Sequence, residues 1–210
     1  MAARLALLVT GASGMLLPRR FLAAAAGHDA VERIHLVVSR GASQVLAHEL
    51  GRERTGAEAL LEAAGLAPAA RAKVAIHRDN ELDAPISSGS YGLAGTVVLP
   101  ASAGTVGALA TGVADTLVHR AGAVALKERW PLLVGFRETP LSLVHPENLR
   151  TLTYAGATVI PPLPAFYIGG EDLERFVDAY CQRLLDHLGL GPAGPGLRWG
   201  AGPRKIPSGH

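Results

Sequence analysis

The sequence predicts a doubly wound α/β domain, a mostly parallel sheet with helices on both faces, and two observations carry that prediction. Short runs that are apolar throughout alternate with longer Ala- and Leu-rich stretches of helical length. A parallel sheet is covered above and below, so its strands read as unbroken apolar runs and not as alternating ones. Each run also ends in a loop of glycine or small hydroxyl residues before the next helix begins, as in βαβ units.

The elements follow in order. Leu5 to Thr10 reads as the first buried strand, Gly11-Ala12-Ser13-Gly14 as a tight loop, and Leu16 to Ala26 as a helix. Arg33 to Val38 is the second strand, Ser39 a cap, and Gln44 to Leu50 a helix. The Ala-rich segment Arg52 to Lys73 is interrupted by Gly56, Gly65 and Pro68 and reads as a short helix and loop without function. Gly95 to Leu99, Pro131 to Phe136 and Ala157 to Ile160 are further strands, with helices over Asp115 to Arg129 and Asp172 to Leu188. Residues 1–190 thus make one domain without internal repeats, and the Gly/Pro-rich stretch 191–210 is a tail whose composition prevents regular structure.

Composition excludes several function classes. The 210 residues afford a sizeable core, and 20 Lys+Arg against 18 Asp+Glu are interspersed without a run of like charge. Nothing suggests a nucleic-acid or anionic-membrane surface. Cys181 is the single cysteine; it makes no internal disulfide, no Cys/His cluster exists for zinc or another metal, and a reducing cytoplasm is the expected location. The apolar N-terminal run is too short to span a bilayer.

In such a sheet, ligands bind at the carboxyl ends of the strands. Three loops of small residues and hydroxyls stand there: Gly11-Ala12-Ser13-Gly14, Ser39-Arg40, and Pro100-Ala101-Ser102-Ala103-Gly104-Thr105. Each offers donors at a helix start, where an anion is favoured, so together they suggest a phosphate-bearing cofactor. One such loop alone is equally well a packing turn or an N-cap. A short-chain dehydrogenase is the obvious reading of TGASG, but no tyrosine is followed by lysine four residues later, and no acidic residue closes the second strand. A second set of residues is charged: Arg120, Lys127-Glu128-Arg129, and Arg137-Glu138 directly after a strand. Lys127 is one of only three lysines against 17 arginines, although a basic residue at a helix end also suits the helix dipole. The stiff segment Pro161-Pro162-Leu163-Pro164 presents Phe166 and Tyr167, and Arg183 lies on the last helix. Arginine forks and a tyrosine hydroxyl suit a phosphate monoester. The remaining histidines, His145 among them, read as helix-start or surface residues, and Cys181 as a small buried apolar one.

The order GASG, VVSR with Glu49 ten residues after Ser39, SSGS, ALKERWPLLVGFRETPLSLVH, GATVIPPLPAFY and QRLLDHLGL closely resembles the UbiX/Pad1 flavin prenyltransferases, Rossmann-like flavoproteins. Even Arg198-Trp199-Gly200 is similar to the end of that family. The resemblance implies a metal-independent homo-oligomer, typically a dodecamer. It would transfer a dimethylallyl group from dimethylallyl monophosphate to N5 and C6 of reduced FMN. The product, prenylated FMN, would serve a UbiD-type decarboxylase. By position, Gly11, Ala12, Ser13, Ser39, Ser102, Ala103, Gly104, Thr105, Arg120 and Arg137 would contact FMN. Lys127, Arg137, Glu138, Tyr167 and Arg183 would surround the prenyl phosphate. Ser13 with Glu49 would relay the proton lost at ring closure, and Lys127 and Glu138 would act on the leaving phosphate. The chain departs from the pattern at Leu17-Pro18 and at Leu82, where the family often carries an aromatic residue upstream of SGS. An FMN-binding accessory protein without catalysis is the alternative, but such a carrier has no use for the transfer cluster.

Overall fold

In a computed structural model, residues 2–51, 55–166 and 172–191 are described. Six strands, β1 (Ala3–Val9), β2 (Val31–Val38), β3 (Val74–His77), β4 (Gly95–Ala101), β5 (Leu132–Phe136) and β6 (Thr158–Val159), form one sheet in the order β3-β2-β1-β4-β5-β6. Every pairing is parallel. The order reverses between β1 and β4, so the loops leaving them turn to opposite faces and open a crevice at the carboxyl edge.

Side chains alternate along each strand, and both faces are covered. Leu5, Leu7 and Val9 of β1 pack with Ile34 and Leu36 beneath α1 (Leu16–Gly27), α2 (Arg40–Leu50), α3 (Ala57–Ala63) and α8 (Leu173–His187). Ala6 and Leu8 face the other way, with Val37 and Val98, beneath α6 (Leu117–Glu128) and α7 (Val144–Tyr154). The short helices α4 (Pro68–Arg71) and α5 (Ala103–Thr111) complete the set. Phe21, Leu5, Leu7 and Met15 are wholly buried, each such side chain stabilising the fold by about 1.5–3 kcal/mol relative to exposure. Among the described residues no helix is long and apolar enough to cross a membrane.

Several elements differ from the sequence expectation. The edge strand β3 was not expected, because its four residues are only half-buried and follow an Ala-rich stretch. The segment read as one helix and loop holds two helices, α3 and α4, the second opened by Pro68 at its first turn. α6 ends at Glu128 because Arg129 takes the left-handed conformation, φ 58°, as its cap. α7 escaped notice because it buries only Leu152 and carries no apolar stripe. The histidines are not all at helix starts or on the surface: His35 lies in the middle of β2, 3% exposed. The tail from Pro192 onward lies outside the described residues.

Candidate functional site

The first loop is shaped by its glycines. A side chain at Gly11 would meet the backbone of Gly41 at 3.1 Å, so the β1–α1 loop and the first turn of α2 touch backbone to backbone. Gly14 has φ +114°, a conformation L side chains rarely adopt. Met15 at the N-cap of α1 provides no side-chain cap. Glu49 of α2 supplies one instead: its carboxylate accepts the Gly14 N–H at 2.8 and 3.1 Å and the Met15 N–H at 2.7 Å. Desolvation works to raise the Glu49 pKa, but the Met15 N–H, the Ser13 hydroxyl, the Gly14 N–H and the charge of Arg137 outweigh it and hold the carboxyl below its usual range. Glu49 is therefore an anion at neutral pH, poised beside Ser13. At this helix start the N–H groups of Gly14 and Met15 are engaged by Glu49.

Further hydroxyl residues stand on the neighbouring loops. Ser39 caps α2, accepting from the Ala42 N–H at 3.2 Å. Thr10, which sequence reasoning passed over, ties β1 to β4: its hydroxyl donates to the Pro100 carbonyl at 2.7 Å and accepts the Ser102 N–H at 2.8 Å. The signal for it was a hydroxyl ending an apolar run. Ser102 in turn caps α5, accepting from the Thr105 N–H at 3.4 Å and donating to the Thr105 hydroxyl at 3.1 Å. A side chain at Gly104 would meet only open space, so the first turn of α5 faces the crevice. Arg137, whose N–H donates to the Ala101 carbonyl at 3.2 Å, extends its side chain toward Gly14. Its Nε is fully buried and has no acceptor among the described residues. Buried donors in proteins are as a rule satisfied. Of the two buried side-chain atoms without a partner among the described residues, the Thr96 hydroxyl lies inside β4, whereas Arg137 Nε belongs to a residue that lines a cavity. The guanidinium nitrogen therefore points to a group that joins it on binding. An anionic, planar ligand such as a flavin phosphate ester fits this donor set: hydroxyls, an open helix start and a free guanidinium edge. Beside it lies a largely apolar cavity of about 230 Å³, lined by Gly14, Leu16, Leu17, Arg137, Pro162, Pro164, Phe176 and Tyr180.

Among the described residues of the expected phosphate cluster, Lys127 and Arg183 stand apart from Arg137. Lys127 is in the last turn of α6, which runs from the end of β3 back to the start of β5, so it lies at the amino edge of the sheet. There it pairs with Glu128 beside the SSGS turn. Arg183 lines a separate cavity of about 500 Å³ with Ile160, Pro164, Tyr180 and Asp186, across the Pro161–Pro164 loop from Arg137. Arg120, exposed on α6, donates through Nε to the Ser87 carbonyl at 3.3 Å. Glu138 does not pair with Arg137; its carboxylate accepts the Thr139 N–H at 3.0 Å. Tyr167 lies outside the described residues. Of the departures, Leu17 and Pro18 are buried in the first turn of α1, Leu17 lining the apolar cavity, whereas Leu82 is 48% exposed.

Comparison with known proteins agrees with the donor set. The Flavoprotein family model matches residues 2–184. The flavin prenyltransferase UbiX of Synechocystis is 40% identical over 207 residues, 96% of this chain and 98% of its own length. The chain belongs to the UbiX flavin prenyltransferase family. The UbiX of Pseudomonas aeruginosa is 36% identical, with 94% of each chain covered. Among solved structures, AnUbiX in complex with FMN and dimethylallyl pyrophosphate aligns with TM-score 0.76 at 35% identity, covering 90% of this chain and 93% of that one. A dodecameric FMN-dependent UbiX-like decarboxylase from Escherichia coli O157:H7 aligns with TM-score 0.80 at 34% identity, covering 93% and 98%. Family membership identifies the sequence-level resemblance correctly and assigns the chain to prenyl-transferring enzymes, not to dehydrogenases.

Proposed function

We propose that the chain transfers the dimethylallyl group of dimethylallyl monophosphate to N5 and C6 of reduced FMN. Prenylated FMN, the product, would be consumed by a UbiD-type decarboxylase. The observation that carries this reading is the buried, unpartnered Nε of Arg137, set between the Glu49-capped loop and the apolar cavity. That placement suits an anionic flavin against a five-carbon chain.

Reduced FMN supplies two nucleophilic positions, while this chain binds, excludes water and manages protons. As the bond to N5 forms, the carbon–oxygen bond of the donor breaks and its electron pair leaves with phosphate. Phosphate departs readily only when its charge is stabilised and protonated. Lys127, Arg183, Tyr167 and Glu138 fill these roles, and since Lys127 stands at the opposite sheet edge from Arg137, they do so only when copies of the chain assemble. A homo-oligomer, a dodecamer in the solved relative, meets that need. The phosphate takes up the N5 proton as it leaves. When the second bond closes, the prenyl double bond is consumed: its inner carbon receives that proton back from phosphate while its tertiary carbon bonds to C6. The proton leaving C6 passes through Ser13 to the Glu49 carboxylate. The apolar cavity, walled by Leu17, Pro162 and Phe176, keeps water from the prenyl carbon.

The test is donor-dependent phosphate release under anaerobic conditions. Reduced FMN and dimethylallyl monophosphate should together give stoichiometric inorganic phosphate, and either alone none. Equal release without flavin would overturn the reading, and no phosphate from the monophosphate but pyrophosphate from the diphosphate would correct the donor.

A further inference from the structure

The segment between β3 and β4, residues 78–94, carries the SSGS turn, and it is tied at both ends to a chain of four side chains that the reaction as described does not use. His35 on β2 and His77 on β3 occupy the same sheet face, because the register pairs His35 with Ala75 and Val37 with His77. His35 Nδ1 and His77 Nε2 lie 2.8 Å apart, His77 Nδ1 lies 3.0 Å from Glu81 Oε1, and His35 Nε2 lies 2.9 Å from the Tyr91 hydroxyl. With one proton on each ring, the carboxylate at one end sets the order of the donors. An ionised Glu81 only accepts, so neutral His77 carries its proton on Nδ1 and accepts at Nε2. His35 then donates from Nδ1 and accepts the Tyr91 hydroxyl proton at Nε2.

The surrounding charges keep this direction. Burial first, then His77, Arg33 and Arg4, lower the His35 pKa to about 4, so His35 is neutral. The His77 contact and the Arg78 N–H hold Glu81 below its usual range, so it is ionised. Arg4 lies over the Tyr91 ring at 4.9 Å and donates to the Tyr91 carbonyl at 3.1 Å. Between these two anchors the segment runs down α6. Asp79 accepts the Leu117 and Val118 N–H groups at the start of that helix, Ser87 accepts from Arg120, and Gly89 abuts Lys127 and Glu128 at its end. A side chain at Gly89 would collide with the Glu128 carboxylate, so the turn is seated without slack.

We propose that His77, through the chain Glu81–His77–His35–Tyr91, is a positioning residue for the prenyl-phosphate half of the site, holding the SSGS turn against Lys127 and Glu128. This rests on the proposed prenyl transfer, in which Lys127 meets the donor phosphate. His77 touches no reacting atom; it sets where the turn and Lys127 stand relative to each other.

Two measurements on the full chain test it. Nitrogen-15 NMR of labelled histidine at neutral pH should show both His35 and His77 protonated on Nδ1. A proton on Nε2 of either ring would overturn the relay, whatever the reaction. In steady state with reduced FMN, His77→Asn keeps a donor near Glu81 but loses the acceptor for His35, and Tyr91→Phe loses the terminal hydroxyl. Each should raise KM for dimethylallyl monophosphate about fivefold, as the loss of one hydrogen bond implies, with kcat and the FMN Kd within about twofold. A fall in kcat or FMN affinity with KM unchanged would reduce the chain to core support and overturn the proposal. Should the wild type prove inactive, hydrogen exchange decides: both variants should speed exchange of 78–94 selectively, and uniform or unchanged exchange would overturn the positioning role.

Discussion

Glu49→Gln separates the observed capping role of this side chain from its proposed role as a base. As a cap, the carboxylate accepts from Gly14 at 2.8 Å and from Met15 at 2.7 Å. The amide retains one oxygen and turns an N–H toward the other backbone donor, while the charge that favours the start of α1 is lost. Charge at a helix N-terminus contributes about 0.3–1 kcal/mol, and the orphaned donor adds to that, but Glu49 is solvent-exposed and water relieves part of the loss. The net cost is about 1 kcal/mol, or about 2–4 °C in Tm for a chain of this size. In the proposed reaction Glu49 would act as a base and take the C6 proton, a role that contributes about 100-fold or more. With reduced FMN and dimethylallyl monophosphate, phosphate release by Glu49→Gln should stay within about threefold of wild type. The C6 proton signal in the NMR spectrum of the released flavin should persist about 100-fold longer. Loss of that signal at the wild-type rate would refute the relay, and loss of FMN binding would show that Glu49 serves only to build the site.

Arg137→Met should weaken FMN binding by roughly 30-fold, the loss of one charged hydrogen bond at a buried nitrogen, read by fluorescence titration; an unchanged Kd would move the flavin elsewhere. Gly14→Ala forces a side chain into φ +114° with Leu17 at 3.1 Å and should cost about 1–2 kcal/mol in urea unfolding, with the Glu49 cap weakened. Because the His35 pKa falls from 6.5 to about 4 on folding, its contribution is full above about pH 6.5 and is lost as pH falls toward 4. That amounts to about 2 kcal/mol between pH 7.5 and 5, so wild-type stability should drop by that much more than that of His35→Gln, and equal slopes would refute it. Lys127→Ala and Arg183→Ala, each inactive alone, should recover activity when mixed and reassembled, as sites built from different copies require; no recovery would place both residues in one protomer.

The fold was legible because a parallel sheet writes its strands as apolar runs: Leu5 to Thr10, Arg33 to Val38, Gly95 to Leu99 and Pro131 to Phe136 all reappear within a few residues. What stayed hidden had weak local signals. β3 is a four-residue edge strand, and α7 shows water all but one of its residues' faces, with only Leu152 buried. The loops at the carboxyl edge were also legible, since Gly14, Ser39 and Ser102 are required by backbone conformation or capping before any ligand is considered. Two features were not. That Glu49 caps α1 depends on a contact spanning 35 residues of sequence, and that Lys127 and Arg137 stand at opposite edges follows from helix direction, which residue type does not encode. His35 was misjudged because a lone histidine in an apolar strand shows its purpose only when β3 sets His77 beside it at 2.8 Å.

The most direct test of prenyl transfer is the mass of the flavin released after anaerobic incubation of the wild-type protein with reduced FMN and dimethylallyl monophosphate. The account predicts a flavin heavier by one five-carbon prenyl unit, formed only when protein and donor are both present. FMN recovered bound but unchanged, with either the monophosphate or the diphosphate, would contradict it and leave a flavin carrier.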